Sequence, residues 1–327
     1  MSKRILLKIL LCAFLCAAAT DLVRAQPPIT APPNAVAPGV AAPGGRGRGG
    51  FGRGPVVPPG PPAPVPPEVA IPRPTADEIA RLNADLKQFI ETSADKELLQ
   101  KWGSLITIQM PRDNSAIRPA GGGGGQHPSF VNTANTGDFD VLFLGDSITY
   151  LWTVGEGDVS GYPGGKTVFD KQFADLKIAN FGIPGDTTQG VLWRLQNGEG
   201  QGRKPKAVML LIGTNNGNDA EEIAEGIGAD VLELRKDFPD AKILLMGIFP
   251  RGTGPTDAGR RKMEAANKII AKLNDGKHVF FMNINDKFLD ANGGLIGFRP
   301  SDHLHPVPEG YEIWASSVAP TLKSWIK

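Results

Sequence analysis

Cysteine is nearly absent from the 327-residue chain: there are two, Cys12 and Cys16, both close to the amino terminus. The rest of the sequence can therefore form no disulfide and no thiolate metal site. Histidine is scarce as well, with four residues and no HExxH or paired spacing, which argues against a zinc centre. Charge of either sign is not in excess. The formal net charge of +1 gives no field to hold nucleic acid or an anionic membrane. What the chain has in quantity is glycine (41) and proline (29), with more than half of the prolines in the first 74 residues. A length that would suit two domains thus argues for one, preceded by a long unstructured lead.

The lead divides by composition. Residues 1–25 read as a signal peptide, with Lys3 and Arg4 before an apolar Ile5–Ala19 segment and Val23-Arg24-Ala25 as a small-x-small cleavage site. An uncleaved membrane anchor is the alternative, but the apolar run is short for a span of ~20 residues. A lipid-modified Cys16 is disfavoured by Leu15, where a small residue would be expected. The expected location is secreted, periplasmic or cell-envelope, with no stable membrane insertion after cleavage. Residues 26–74 are Pro, Gly and Ala with few bulky apolar groups, and are expected to be an extended, disordered tether. RGRGGFGRG at 46–54 has the look of an RNA-binding RGG segment, yet an exported chain rarely meets RNA and a solvated tether is the better reading. Residues 75–125 read as a small helical appendage with a Gly-rich linker. Thr75-Ala76-Asp77-Glu78 fits a capping box, and Ile79, Leu82, Leu86, Phe89 and Ile90 recur at helical spacing, continuing in fragments through Leu98, Leu99 and Trp102.

From about residue 130 to 327 the pattern becomes α/β. Five apolar runs, 141–145, 177–183, 207–213, 242–249 and 278–284, alternate with helical patterns near 186–197, 219–237, 257–274 and 308–326. Such alternation predicts a parallel sheet covered by helices on both faces. Residues 151–171, rich in Gly, are expected to be a loop and short helix over the strand ends.

The first strand ends in Gly-Asp-Ser, and ligands of open α/β sheets bind at the carboxyl ends of strands. Alone, Ser147 reads first as a helix N-cap. As a nucleophile it needs a base held by a third group. Asp302-His303-Leu304-His305 offers both: three residues apart, Asp302 can hold the His305 imidazole, while His303 points elsewhere and belongs to the rim. Oxyanion donors are available where the next two strands end. Gly182 and Gly185 permit close backbone approach, and Asn215 and Asn216 carry uncharged amide donors. Each has a bland reading as turn chemistry, but together they fall at the ends of three successive strands.

GDSIT, GIPGD, GTNN and DxxH, in that order, resemble blocks I, II, III and V of the SGNH/GDSL hydrolases. Longer stretches, 166–199 and Ile248-Phe249-Pro250-Arg251-Gly252, resemble the branch holding the type I platelet-activating factor acetylhydrolase subunits and their secreted bacterial relatives. The resemblance covers about 130–327. It implies a three-layer α/β/α sandwich, a flavodoxin-like five-stranded parallel sheet in the order 2-1-3-4-5. It also implies Ser147 as nucleophile, Asp302 and His305 as its partners, and an oxyanion hole of the Ser147 N–H, the Gly185 N–H and the Asn215 amide. Pro184 stands where those subunits have a second glycine, and HPVPEGYEIWA after His305 is closer to the bacterial esterases, so phospholipid specificity does not carry over. The implied activity is hydrolysis of small acetyl-type esters, with carbohydrate acetates as one class, without metal or cofactor. A lysophospholipase or thioesterase, or a non-catalytic surface-binding protein on a hydrolase scaffold, are the alternatives. Homo-oligomerisation stays open.

Overall fold

The computed structural model describes residues 58–101, 107–108, 113–121, 124–155, 157–159 and 161–327. The expected signal peptide, the RGRGGFGRG stretch, the tether before residue 58 and the Trp102 continuation lie outside the described residues.

Five strands form one parallel sheet in the order β2-β1-β3-β4-β5: β1 (Val141–Gly145), β2 (Ile178–Gly182), β3 (Ala207–Leu211), β4 (Lys242–Met246) and β5 (Val279–Met282). This is the three-layer arrangement expected from the alternation. β1 coincides with its predicted run, whereas β2 to β5 stop short of theirs at the carboxyl end, because residues such as Ile183, Ile212, Ile248 and Phe249 are buried in the connections that follow. Period-two alternation sorts the core. Leu142, Leu144, Val208, Leu210, Ile243 and Leu245 face one side, whereas Val141, Phe143, Met209, Leu211, Leu244 and Met246 face the other.

Helices cover both faces. The first side packs α6 (Thr188–Arg194), α7 (Ala220–Asp237) and α8 (Ala258–Ile270); the second packs α5 (Lys166–Gln172) and α9 (Pro308–Ile326). Among the described residues the remaining α-helices are α1 (Ala76–Thr92), α2 (Lys96–Lys101), α3 (His127–Thr136) and the single turn α4 (Ser147–Tyr150). Thr75 and Glu78 form the expected capping box on α1. Asn83 of α1 clamps Ile108 through two reciprocal hydrogen bonds of 2.7 Å, and Ile79, Leu86 and Ile90 are buried.

The lead differs from the sequence reading in one respect. Residues 58–73, expected to be solvated tether, run extended along the domain. Gly60 and Ala63 donate backbone hydrogen bonds of 2.8 Å to Pro119 and Ile117, and Val69 is buried in the core. Gly228 of α7 makes room: a Cβ there would lie 2.6 Å from Val69 and 2.8 Å from Pro66. Arg73 then grips buried Glu225 with both guanidinium nitrogens at 2.6 Å, and Ile71 N–H donates to the same carboxylate at 2.7 Å. Burial would raise that carboxyl, but the Arg73, Asn114 and Ile71 hydrogen bonds outweigh it and hold its pKa below the ordinary value. Composition missed this docking because a proline-rich strand needs few large side chains when its backbone and one arginine find partners. Asn114, Ala116 and Ile117 are buried as well, so that part of the expected appendage belongs to the domain.

Candidate active site

The register of the sheet sets the site. Gly145 pairs with Gly182 on one side and with Leu211 on the other, so β1, β2 and β3 end level. Ser147, Gly185 and Asn215 each follow within a few residues of that edge.

The turn after β1 is closely packed. A Cβ on Gly145 would sit 2.2 Å from the Leu211 carbonyl oxygen, and one on Gly182 would sit 2.2 Å from the Tyr150 nitrogen. Only glycine lets the two strand ends pinch around α4. Asp146 caps that turn by accepting the Ile148 N–H at 2.9 Å. Its carboxyl is 1% exposed, and burial pushes its pKa up to about 7. From the opposite side Tyr311 of α9 donates its hydroxyl to the Ile148 carbonyl at 2.7 Å.

Ser147 Oγ lies 2.9 Å from His305 Nε2, and His305 Nδ1 lies 3.0 Å from Asp302 Oδ2. Asp302 and His305 come together in a turn, not a helix. Asp302 Oδ1 accepts the backbone N–H groups of Leu304 at 3.0 Å and His305 at 3.1 Å, which folds the imidazole back over the carboxylate. Burial tends to raise the Asp302 pKa, but the His305 and Leu304 hydrogen bonds dominate and leave it below the ordinary value. It is therefore an anion at neutral pH, and the Nδ1–H tautomer follows, with Nε2 free to accept the serine proton. Asp302 is steadied further by Arg299 at 3.2 Å.

Gly185 adopts φ +80°, and nothing lies within 4 Å of where its Cβ would be, so its backbone borders open space. Asn215 donates one amide hydrogen to the Asp186 carbonyl at 2.9 Å, which fixes the side chain and leaves the second hydrogen to point elsewhere. A cavity of about 340 Å³ joins Ser147, Gly185, Asn215 and His305, with Tyr150, Leu151, Pro184 and Leu304 as walls. The other candidates are placed differently. Asn216 is buried and ties β3 to α6 through Thr188 Oγ1 at 2.9 Å, and His303 borders a second cavity.

Two residues of the site were not legible beforehand. Tyr162 stands edge-on to His305 with ring centroids 5.1 Å apart, and Arg299 stacks on Tyr162 at 4.3 Å while it contacts Asp302. Tyr162 lies in a glycine-rich loop with no motif around it, and Arg299 carries no signal beyond being three residues before Asp302. Among the described residues no group of three or more His, Cys, Asp or Glu is placed to hold a metal ion.

A family model for GDSL-like lipase/acylhydrolases matches residues 143–313, more than half of the chain and every residue of the site just described. The chain belongs to that family. Two curated relatives are the platelet-activating factor acetylhydrolase IB subunit alpha2 of Rattus norvegicus, 35% identical over 187 residues (57% of this chain, 77% of the relative), and subunit alpha1 of Homo sapiens, 32% identical over 186 residues (57% and 76%). A solved carbohydrate acetylesterase family member from Sinorhizobium meliloti is 17% identical with a TM-score of 0.46, covering 57% of this chain and 98% of that one. This GDSL hydrolase is thus an enzyme of the esterase and acylhydrolase type. Among its described residues no helix is long and apolar enough to cross a membrane.

Proposed function

We propose that this GDSL hydrolase is a secreted serine esterase that removes small, acetyl-type acyl groups through Ser147, His305 and Asp302. One observation carries the catalytic part: the 2.9 Å and 3.0 Å contacts that line up Ser147 Oγ, the two nitrogens of His305 and Asp302 Oδ2. His305 Nε2 takes the hydroxyl proton as Ser147 Oγ attacks the ester carbonyl, and Asp302 stabilises the imidazolium. The negative charge on the carbonyl oxygen is met by the N–H groups of Ser147 and Gly185 and by the Asn215 amide, each donor of this kind being worth ~10²–10³ in rate. The alcohol departs with the proton held by His305, and water then repeats the sequence on the acyl-enzyme.

The short acyl preference is supported by the modest cavity against Ser147 and by relatives that bear the name acetylhydrolase. Secretion is supported by the character of residues 1–25 alone. The test is a fluorophosphonate label together with rates on acetyl, butyryl and octanoyl esters. Labelling at Ser147, loss of ~10³-fold or more in turnover for Ser147→Ala with the fold intact, and rates that fall with chain length are expected. Well-folded protein that neither labels nor turns over would overturn the enzymatic reading, and a preference for octanoyl would replace the acetyl specificity with a lipid one.

A further inference from the structure

Beside the serine cavity lies a larger one, about 680 Å³, that shares Asn215 with it and is bordered by Asp302 and His303. Its walls differ in kind. Where the first cavity has Leu151, Pro184 and Leu304, the second has Thr214, Thr253, Asn216, Arg251, Lys262 and Asp257.

The balance of charge in these walls is uneven. Arg251 donates to the Thr214 carbonyl at 2.8 Å and to its hydroxyl at 3.2 Å; Lys262 donates to the carbonyls of Asn218 at 2.9 Å and Asn216 at 3.4 Å. All of these acceptors are neutral, and among the described residues neither cation makes an ion pair. Behind the wall Arg260, 1% exposed, spends its guanidinium on the carbonyls of Arg251, Gly252 and Gly293, again with no carboxylate. The two acids at the rim are committed. Asp302 serves His305 and Arg299, and Asp257 caps α8 by accepting the Arg260 N–H at 3.1 Å. Arg251 feels the charge of buried Asp146 from a distance, but both cations make their hydrogen bonds to neutral oxygens only, and anionic oxygens are the stronger acceptors for such a pair. The border is also held under strain: His303 adopts φ +49°, a left-handed conformation unusual outside glycine, and its carbonyl accepts the Gly252 N–H at 2.9 Å.

We propose that this second cavity is the leaving-alcohol subsite, and that it takes an alcohol carrying an anionic oxygen group, carboxylate or phosphate, whose charge is met by Arg251 and Lys262. The inference rests on the serine-esterase reading above. It gives that reading a division of labour: the small acyl group occupies the apolar cavity, and the acidic alcohol lies across Asn215 in the polar one, against Arg251 and Lys262.

The experiment uses the full chain and three aryl acetates that share a scaffold: 3-acetoxybenzoate, 3-acetoxyphenyl phosphate and the neutral 3-acetoxybenzamide. A kcat/KM for one or both anionic esters on the order of tenfold above the amide is expected, and which of them leads identifies carboxylate or phosphate as the group recognised. In Arg251→Gln and Lys262→Gln the ratio of anionic to neutral kcat/KM is expected to fall toward one; because the ratio is taken within each variant, a general loss of activity cancels. If a variant does not fold, inorganic phosphate against the wild type decides the location: it is expected to raise KM for the amide ester without lowering kcat, beyond a sodium chloride control of equal ionic strength. Turnover of all three esters without discrimination, an anionic preference that survives both substitutions, or, where a variant fails to fold, no effect of phosphate beyond that control, overturns the subsite and leaves the esterase standing. Turnover of none, with no phosphonate labelling, overturns both.

Discussion

The two faces of the sheet hold the two halves of the site by different physics. Under α5 and α9 the core is aromatic. Trp152 sits 4.5 Å from Tyr311 and 4.8 Å from Trp314 between ring centroids, Trp314 meets Phe249 at 4.8 Å, and all four are buried. Its polar link to the nucleophile turn is the Tyr311 hydroxyl on Ile148. Under α6 and α7 a largely aliphatic core, with Phe139, Phe181 and Phe238 in it, encloses charge: Arg194, Asp186, Glu199, Glu225 and Asp230 are all buried. Arg194 bridges Asp186, at 2.9 Å, and Glu199, which in turn holds His127 at 2.7 Å. Asp186 is the residue whose carbonyl fixes Asn215. The proposed nucleophile, Ser147, is thus seated by shape, and Asn215, a proposed oxyanion donor, by an ion network. Packing is forgiving of partial loss, whereas a buried network left with an unpaired member is not.

The largest effects come from breaking each face once. Arg194→Met leaves Asp186 and Glu199 buried without their cation, and a loss of ~3–5 kcal/mol in unfolding free energy is expected. Trp314→Ala empties a large aromatic site on the other face at a similar cost of ~3–5 kcal/mol. The two should separate in kinetics. With rates normalised to folded active sites by phosphonate titration, Arg194→Met is expected to lower kcat by about tenfold or more through misplacement of Asn215, while Trp314→Ala keeps kcat within about threefold. Equal kcat losses in both variants would remove the distinction between the faces.

The contrast also marks what could be read beforehand. The succession of strands and helices along the chain followed from alternation, because apolar runs closed by Gly or Pro are a strong local signal for strands covered on both faces, whereas the sheet order 2-1-3-4-5 came from the family resemblance. Ser147, Gly185, Asn215, Asp302 and His305 could be singled out because each stands in a short block at a strand end or in a DxxH turn, and the fold gathers these blocks at one edge of the sheet. Arg194, Glu199 and His127 were not legible. They are charged residues whose burial is decided by partners from separate elements, and a charged residue in an amphipathic helix is ordinarily a solvated face. Docking of residues 58–73 was hidden for the same reason, since Arg73 and Glu225 are 152 residues apart. The second cavity could not be found either: Arg251 in the loop before α8 and Lys262 on α8 meet His303, some forty residues further on, only when the sheet has closed.

Between the faces, directly before the nucleophile, lies Asp146, and its effect depends on pH. Burial raises this carboxyl from an ordinary 3.8 to about 7, so the folded protein binds the proton more tightly than the unfolded chain does. The cost of ionising it in place is absent below about pH 4, grows as pH rises through the window from 3.8 to about 7, and is constant above. It amounts to on the order of a few kcal/mol. Asp146→Asn keeps an oxygen to accept the Ile148 N–H but has no proton to lose. Denaturation at pH 5 and pH 8 is therefore expected to show a smaller loss of stability with rising pH in the variant than in the parent. Parallel declines would mean that the buried carboxyl does not titrate in this window.

The smallest change sharpens the comparison most. Tyr311→Phe removes one hydroxyl and leaves the ring against Trp152 and Trp314. The Ile148 carbonyl loses a 2.7 Å hydrogen bond in a dry environment, which costs ~1–1.5 kcal/mol. Burial holds the Tyr311 hydroxyl well above its ordinary pKa, so it keeps its proton and donates throughout the neutral range. If shape seats the nucleophile turn, the variant loses about that much stability and its kcat changes by less than about threefold, because the aromatic cluster still fixes α4 against the sheet. A kcat loss of about tenfold or more at unchanged folding would show instead that one directed hydrogen bond, not packing, sets the position of Ser147, and the aromatic face would then work on the same principle as the charged one.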